Sequence, residues 1–410
     1  MRDSVPLSRD DRGSLGAVLR PLGRSLALPG AAYTSADVFA WEMRAFFAAG
    51  WVCLGRSADL AGPGDQAAFA AGDDSVLLVR GDDGALRGFY NVCRHRGHEL
   101  VAVGGSAARG TIQCPYHAWA YRLDGRLLGA PGYRGLDPVE FGLAPARVAE
   151  WHGWAFANAS GDAPRPAEWM GNLDEVVRPH EPERLVTGAT HEYVVAANWK
   201  VINENYHECY HCSNIHPELC RVTPPESGED LVRDGLWAGG SMDLRPHAAT
   251  MSLTGESRGT PLRGLDEHQR RQVNYCGLFP NLLISLHPDY VLTHLLRPVG
   301  PATTAIECRW LFQPEDLARE DFDPGYAVEF WDLTNRQDWA AVESVQRGVA
   351  SRGYRPGPLS DREQSVRQFD TIVAQGYLTG RPAPPLANDV DGATGRAESP
   401  APAASTSAGA

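Results

Sequence analysis

The spacing of apolar residues changes several times along the chain. Residues 36–49 carry apolar side chains at helical spacing after Ser35, a common helix-capping residue, and predict a helix. From about residue 51 to residue 154, short strand-like segments such as 75–79 and 86–90 are separated by glycine-rich turns. We expect a small antiparallel β domain in this region.

Strand and helix patterns are mixed in the second half of the chain. Strands are predicted at residues 192–196, 282–286, 290–296 and 305–312, and helices at residues 199–210 and 330–349. An antiparallel sheet with helices grouped around it gives an α+β fold.

Changes in composition and a proline-rich segment divide the chain into regions. We expect an N-terminal extension over residues 1–32, a first domain over 33–160, a proline-marked connector over 161–190, a second domain over 191–380 and a tail over 381–410. The tail is rich in Ala, Pro, Ser and Gly, and we predict that it is disordered because it has little apolar surface to bury.

The charge balance restricts the partners. The formal net charge of −13 and the lack of a basic run argue against nucleic acid or an anionic membrane as the main partner. The first 24 residues lack the apolar core of a secretory signal, and no apolar run approaches the roughly 20 residues of a membrane helix. We expect a cytoplasmic protein that acts on a small molecule.

Two short motifs in the first domain each pair a cysteine with a histidine. Cys93-Arg94-His95 is followed, after 18 residues, by Cys114-Pro115-Tyr116-His117. Two thiolates for one iron and two imidazoles for the other are the ligands of an asymmetric [2Fe–2S] cluster. Zinc is the alternative, but zinc fingers usually carry both cysteines in one arm and both histidines in the other.

A second metal site is indicated by His211 and His216. Two imidazoles and one carboxylate on one face of Fe(II) leave positions open for oxygen and substrate. A spacing of five residues turns the second side chain away on an ideal helix. We therefore predict that the helix breaks between them, which Ser213, Asn214 and Pro217 permit.

Eight cysteines are too few for a disulfide scaffold, and we expect them to be buried, free or bound to metal. Cys209 and Cys212 leave other interpretations open. They could form a redox pair or, with His207 and His211, a zinc knot. The histidines could also be structural.

Taken together, the two motifs resemble the Rieske non-haem iron oxygenase α subunits. The second is Asn-Trp-Lys-(x)3-Glu-Asn-(x)2-Glu-Cys-Tyr-His-Cys-(x)3-His-Pro, from Asn198 to Pro217. The resemblance covers most of residues 33–375. It implies an N-terminal Rieske β domain, a C-terminal helix-grip catalytic domain with mononuclear iron, and a homotrimer in which the cluster of one subunit serves the iron of its neighbour.

The resemblance also assigns roles. His211 and His216 match the iron histidines, and Asp338 is the preferred third ligand, although Asp332 and Glu343 lie on the same predicted helix. Glu208 matches the acidic residue that bridges the two metal centres across the subunit boundary. A carboxylate there would orient a cluster histidine and couple its proton to the electron. This chain has Glu where the bridge is commonly Asp, and Ala118 where Gly commonly follows the second cluster histidine.

The Glu-Cys-Tyr-His-Cys form is most similar to the branch that acts on quaternary amines, which includes glycine betaine and stachydrine demethylases and choline and carnitine monooxygenases. Oxidation of an N-methyl group would release formaldehyde. A ring-hydroxylating oxygenase on an aromatic or other apolar substrate is the first alternative, and a Rieske electron-transfer protein without oxygen chemistry is the second.

Electrons must come from elsewhere. The chain has neither a Gly-x-Gly-x-x-Gly nucleotide-binding turn nor a plant-type ferredoxin cysteine array. We therefore expect a separate flavin- or ferredoxin-type reductase that draws on NADH or NADPH.

Overall fold

Three antiparallel sheets organise the protein, for which a computed structural model describes residues 4–382. The helices are α1 Arg9–Val18, α2 Gly30–Thr34, α3 Ala36–Glu42, α4 Pro166–Met170, α5 Leu173–Val177, α6 Trp199–Tyr206, α7 Cys212–Ile215, α8 Pro217–Val222, α9 Pro314–Leu317, α10 Gly325–Val349 and α11 Gln364–Thr379. The strands are β1 Val52–Arg56, β2 Asp65–Ala71, β3 Asp74–Arg80, β4 Leu86–Tyr90, β5 Ser106–Ala108, β6 Ile112–Gln113, β7 Ala120–Tyr121, β8 Leu127–Gly129, β9 Pro145–Trp151, β10 Trp154–Asn158, β11 Val186–Val195, β12 Glu229–Asp230, β13 Trp237–Asp243, β14 Gln272–Leu278, β15 Leu282–Leu286, β16 Val291–Gly300 and β17 Thr303–Phe312.

The N-terminal sheet has the strand order β1-β10-β9-β4-β3-β2-β5, and the small sheet β6-β7-β8 lies beside it. Strand β3 is apolar on both faces: Val76 and Leu78 pack in the main core, whereas Leu77 and Val79 pack in a second core with Cys93. Successive side chains of a strand point to opposite faces, so one strand supports both cores.

The C-terminal sheet has the order β11-β17-β16-β15-β14-β13-β12. Every residue of β15 is buried, as expected for a central strand covered on both faces. Asn198 caps the N-terminus of helix α6, and its side-chain oxygen accepts a hydrogen bond from the N–H of Lys200 at 3.0 Å. Such a cap fixes where the helix starts, and therefore where its C-terminal end delivers the following loop.

The N-terminal and C-terminal sheets are in direct contact. The side chain of Asn281 accepts a hydrogen bond from the N–H of Cys53 and donates one to its carbonyl, both at 3.0 Å. Tyr33 donates to Glu204 at 2.7 Å, so the segment ahead of β1 also packs against the C-terminal part. Among the described residues, no helix is both long and apolar enough to span a lipid bilayer.

The predicted strands 86–90 and 282–286 coincide with β4 and β15. The predicted helix 36–49 is α3 followed by a π-helical turn, Met43–Ala48. The predicted helix 199–210 is too long, because α6 ends at Tyr206 and the carboxylate of Glu208 then accepts hydrogen bonds from the N–H groups of Tyr210 and His211.

Several helices have no counterpart in the sequence prediction, and the two longest of them are α1 and α11. Helix α1 lies in the N-terminal extension, and α11 is buried almost all round. The buried positions of α11 include Arg367, Gln368 and Asp370, so burial in this helix does not follow the apolar residues from which an amphipathic helix is predicted. The tail that we predict to be disordered lies outside the described residues, except for Arg381 and Pro382.

Candidate active site

Two loops of the N-terminal part bring Cys93, His95, Cys114 and His117 together. Both thiols are buried, and the two imidazole rings lie 4.7 Å apart. The Nδ1 atoms of both rings are buried without a hydrogen-bond partner among the described residues. Two thiols and two unpartnered ring nitrogens are the donor set that a [2Fe–2S] cluster of this type requires, so these residues fit the cluster.

The second loop contains Ala118, which stands where glycine commonly follows the second cluster histidine. Ala118 has a φ of 59°, a left-handed conformation that glycine adopts without steric cost. Its N–H nevertheless donates to the carbonyl of Cys114 at 3.1 Å, which closes the loop. Alanine therefore keeps the loop geometry at a cost of roughly 1 kcal/mol.

His211, His216 and Asp338 converge in the C-terminal part. The Nε2 atom of His216 lies 2.9 Å from Asp338 Oδ1, and the Nε2 atom of His211 lies 3.4 Å from the same oxygen. His216 stands between α7 and α8 with φ −121° and ψ 66°, so the chain does leave helical geometry between the two histidines, with Pro217 starting α8. Two imidazoles and a carboxylate on one face fit an Fe(II) ion.

The other ring nitrogens of both histidines are held in place. Gln337 Oε1 lies 2.7 Å from His216 Nδ1, and Glu208 Oε1 contacts His211 Nδ1. An acceptor at Nδ1 fixes the tautomer and leaves Nε2 free to bind a metal. The sequence reasoning assigned nothing to Gln337, although it immediately precedes Asp338.

The surroundings also set the charge state of these groups. Burial disfavours the carboxylate of Asp338, but its contacts with His211 and His216 outweigh burial and lower its pKa. Burial likewise disfavours the charged ring of His211, yet Asp338 and Glu208 raise its pKa to about 10. Asp338 is therefore anionic, as a carboxylate ligand must be.

The two alternative carboxylates on α10 are engaged elsewhere. Asp332 accepts a hydrogen bond from the Tyr193 hydroxyl at 2.6 Å and pairs with Arg336 at 2.8 Å. Glu343 accepts from the N–H of Ala196 at 3.1 Å. Neither is among the atoms that converge on the two histidines.

Cys209 and Cys212 form a disulfide, so our expectation of free or metal-bound cysteines is wrong for this pair. The same bond removes both sulfurs from the zinc-knot alternative. His207, its other suggested member, is buried against Gly277 and Phe369. The sequence could not decide this, because a C-x-x-C spacing suits a disulfide and a metal equally well.

A cavity of about 260 Å³ adjoins the converging side chains. Five tyrosine and tryptophan residues form part of its wall: Tyr206, Tyr210, Tyr275, Trp331 and Trp339. Four carboxylates and one arginine from the segments 226–230 and 361–362 also line it: Glu226, Glu229, Asp230, Asp361 and Arg362. Composition alone could not locate these rings, because aromatic residues usually pack in cores.

Comparison with known families matches both halves of the chain. A family described as Rieske [2Fe–2S] domain matches residues 50–140, and one described as ring hydroxylating alpha subunit (catalytic domain) matches residues 182–378. The order of the two domains and the α+β fold class are thereby confirmed. The two families imply a Rieske cluster and a mononuclear iron.

Curated relatives cover most of the chain. The glycine betaine monooxygenase oxygenase subunit of Chromohalobacter salexigens is 31% identical over an alignment of 383 positions that covers 85% of this chain and 85% of that protein. The carnitine monooxygenase oxygenase subunit of Escherichia coli K12 is 32% identical over 366 residues, covering 85% of this chain and 93% of that protein.

Solved structures agree. A quaternary ammonium Rieske monooxygenase described in connection with carnitine oxidation by gut microbiota is 26% identical, with a TM-score of 0.74 over 92% of this chain and 100% of that one. Naphthalene 1,2-dioxygenase from Rhodococcus, at 20% identity and a TM-score of 0.73 over 92% of this chain and 100% of that one, shares the fold. The chain belongs to the Rieske non-haem iron oxygenases, as a catalytic α subunit.

Proposed function

We propose that the chain is an oxygenase component that hydroxylates an N-methyl group of a small quaternary amine such as glycine betaine. Dioxygen is the co-substrate, and a separate NAD(P)H-dependent reductase supplies two electrons. One oxygen atom enters the C–H bond, and the other leaves as water with two protons. The N-hydroxymethyl product then loses formaldehyde and a proton, which leaves the demethylated amine.

The aromatic wall of the cavity is the observation that carries this proposal. A trimethylammonium group has no N–H to donate, so a protein binds it chiefly through ring faces. Tyr206 lies with its ring centre 6.0 Å from that of Tyr275, and Tyr275 lies 6.2 Å from Trp331. Four carboxylates and Arg362, in the segments 226–230 and 361–362, also line the cavity. The names of the relatives point to the same substrate class.

The metal ligands follow from the donor sets. Cys93, His95, Cys114 and His117 would hold the cluster, and His211, His216 and Asp338 would hold the iron. When bound, the cluster supplies electrons and the iron activates dioxygen. Gln337 and Glu208 hold the two iron histidines by their Nδ1 atoms, and the aromatic wall places the methyl group beside the ligand set.

We propose that Glu208 also connects the two centres across a homotrimer interface. The cavity is lined by residues between 202 and 365, without a contribution from the cluster loops. Tyr116 and Tyr133, beside the cluster histidines, are each about half exposed. In the trimer, a second copy of the chain would cover these side chains. The cluster of one subunit would then lie beside Glu208 of the neighbouring subunit.

The first experiment measures metal content and product. The purified chain should contain about three irons, two in the cluster and one outside it. With a reductase, NADH and oxygen, glycine betaine should yield formaldehyde and dimethylglycine in equal amounts. Omission of the reductase is the control and should abolish turnover.

Other outcomes favour the alternatives. Two irons per chain without oxygen consumption would indicate an electron carrier. No formaldehyde from any of a panel of methylated amines, together with hydroxylated products from aromatic compounds, would indicate a ring-hydroxylating oxygenase.

A further inference from the structure

The cavity runs across neighbouring strands of the C-terminal sheet. His294 on β16, Tyr275 on β14 and Asp230 on β12 all line it. His294 marks the end nearest the iron ligands, because its Nε2 lies 3.0 Å from Asn335, one helical turn before Asp338. Neighbouring strands are about 4.8 Å apart. Tyr275 therefore lies about 10 Å from the β16 end, between the ligand set and the acidic segment.

The hydroxyl of Tyr275 has no hydrogen-bond partner among the described residues, although it is buried. Native proteins leave few buried polar atoms unpaired, because an unpaired group forfeits its hydrogen bonds to water. Burial raises the pKa of Tyr275, so the hydroxyl keeps its proton and remains a donor. Because Tyr275 lines the cavity, a bound ligand can supply the acceptor that this hydroxyl lacks.

Tyr206 provides an internal comparison. It lines the same cavity and its ring lies 6.0 Å from that of Tyr275. Its hydroxyl, however, is already paired with Ser285 Oγ at 2.9 Å. The two tyrosines thus offer the same ring chemistry but differ in whether the hydroxyl is free for a ligand.

We propose that the Tyr275 hydroxyl donates a hydrogen bond to the oxygen-bearing end of the quaternary amine. This inference rests on the proposed function. The ammonium lies toward the iron ligands among the aromatic rings, and the carboxylate or hydroxyl oxygen of the same molecule points toward β14. Tyr275 is then a specificity residue: it selects amines that carry an oxygen acceptor and orients them with a methyl group toward the iron ligands.

The test is a binding measurement, which requires neither the reductase nor turnover. Calorimetry on the iron-loaded protein gives Kd for glycine betaine, choline and tetramethylammonium, which carry a carboxylate, a hydroxyl and no oxygen respectively. Tyr275→Phe should weaken the binding of glycine betaine, choline or both by roughly tenfold or more, the loss expected for one hydrogen bond to a ligand. Tetramethylammonium should change by less than about twofold, since it offers no acceptor.

Tyr206→Phe is the matched control. It also removes one hydroxyl from the cavity wall, but that hydroxyl is occupied by Ser285, so the ratios among the three Kd values should stay as in the wild type. Which oxygen ligand loses affinity in Tyr275→Phe identifies the acceptor as carboxylate, hydroxyl or either.

Two results would overturn the inference alone. Equal losses for all three ligands in Tyr275→Phe would show a packing effect, and unchanged Kd values would show that the hydroxyl binds only water. The melting temperature is a second readout: the ligand-free Tyr275→Phe protein should melt no lower than the wild type. A wild type that binds none of the three ligands would instead refute the proposed function, and the inference with it.

Discussion

The carboxylate of Asp338 is placed between two imidazole rings, whereas the other acidic residues of α10 near the site point elsewhere. We expect Asp338→Asn to lower the iron content from about three to about two per chain and to reduce oxygenase activity by at least about 100-fold. The amide lacks the negative charge that balances a divalent ion. Iron analysis and the visible spectrum of the cluster, which should be unchanged, check this.

Asp332→Asn and Glu343→Gln are the matched controls for that experiment. Each removes one carboxylate charge from the same helix, and both should keep about three irons, because these side chains bind Tyr193 and Ala196. If one of the controls lost iron while Asp338→Asn retained it, the residue changed in that control would be the third iron ligand.

At the scale of single residues, metal-binding residues can be predicted from the sequence when they are cysteine or histidine and lie close together along the chain. Cys93 and His95, two residues apart, could be proposed as cluster ligands from the sequence alone. Asp338 could be proposed only through a resemblance, because it lies 122 residues beyond His216. The free hydroxyl of Tyr275 could not be predicted, since only tertiary contacts decide which tyrosine finds a partner.

At the scale of elements, a fully buried ion pair ties α6 to the segment that precedes the first sheet. Lys200 Nζ lies 2.7 Å and 3.0 Å from the two carboxylate oxygens of Glu42. Glu42 also accepts a hydrogen bond from Trp199 Nε1 at 2.9 Å and one from the Tyr377 hydroxyl. Helix α11, which carries Tyr377, is joined to α6 and α3 by the same carboxylate.

We expect Lys200→Met to lower the free energy of unfolding by about 3 to 5 kcal/mol, because it leaves the charge of Glu42 buried without a counter-ion. The double variant Glu42→Gln/Lys200→Met should recover part of this loss, since the remaining amide is neutral. Urea unfolding followed by tryptophan fluorescence gives the comparison. A double variant as unstable as Lys200→Met would mean that the cost comes from packing and not from charge.

The same elements show what periodicity can and cannot predict. The central strands β4 and β15 are predicted with correct ends because glycine or proline punctuates them. The end of α6 is missed because side chain–backbone hydrogen bonds from Glu208 compete with the helix, and no apolar pattern reports them.

At the scale of the whole molecule, the connector is packed against the C-terminal sheet through buried histidines. His180 is 2% exposed and His287, in the turn between β15 and β16, is fully buried. The sequence marked this region only by its prolines. It could not show that His180 lies near enough to His287 to affect its charge, because the two residues belong to segments about a hundred residues apart.

Because of these two histidines, we expect the folded protein to lose stability in mild acid. Burial lowers the pKa of His180 to about 4 and, with the nearby His180, lowers the pKa of His287 well below its ordinary value. In the unfolded chain the two imidazoles have a pKa of about 6.5. Between that pH and the lower pKa of the folded state, they are protonated in the unfolded chain but neutral in the folded protein. The stabilisation is therefore complete above pH 6.5 and is lost as the pH falls toward 4.

Between pH 6.5 and pH 5, protonation of His180 in the unfolded chain should by itself lower the free energy of unfolding by roughly 1.5 kcal/mol. His180→Gln removes the titrating ring, so its stability should fall less steeply over this interval even if the variant is less stable at pH 7.5. The charged residues that line the neighbouring surface are Glu181, Arg184, Arg263 and Glu315. Urea unfolding at four or five pH values gives the slope, and equal slopes for the wild type and His180→Gln would show that His180 stays neutral in the unfolded chain or protonates without cost in the folded one.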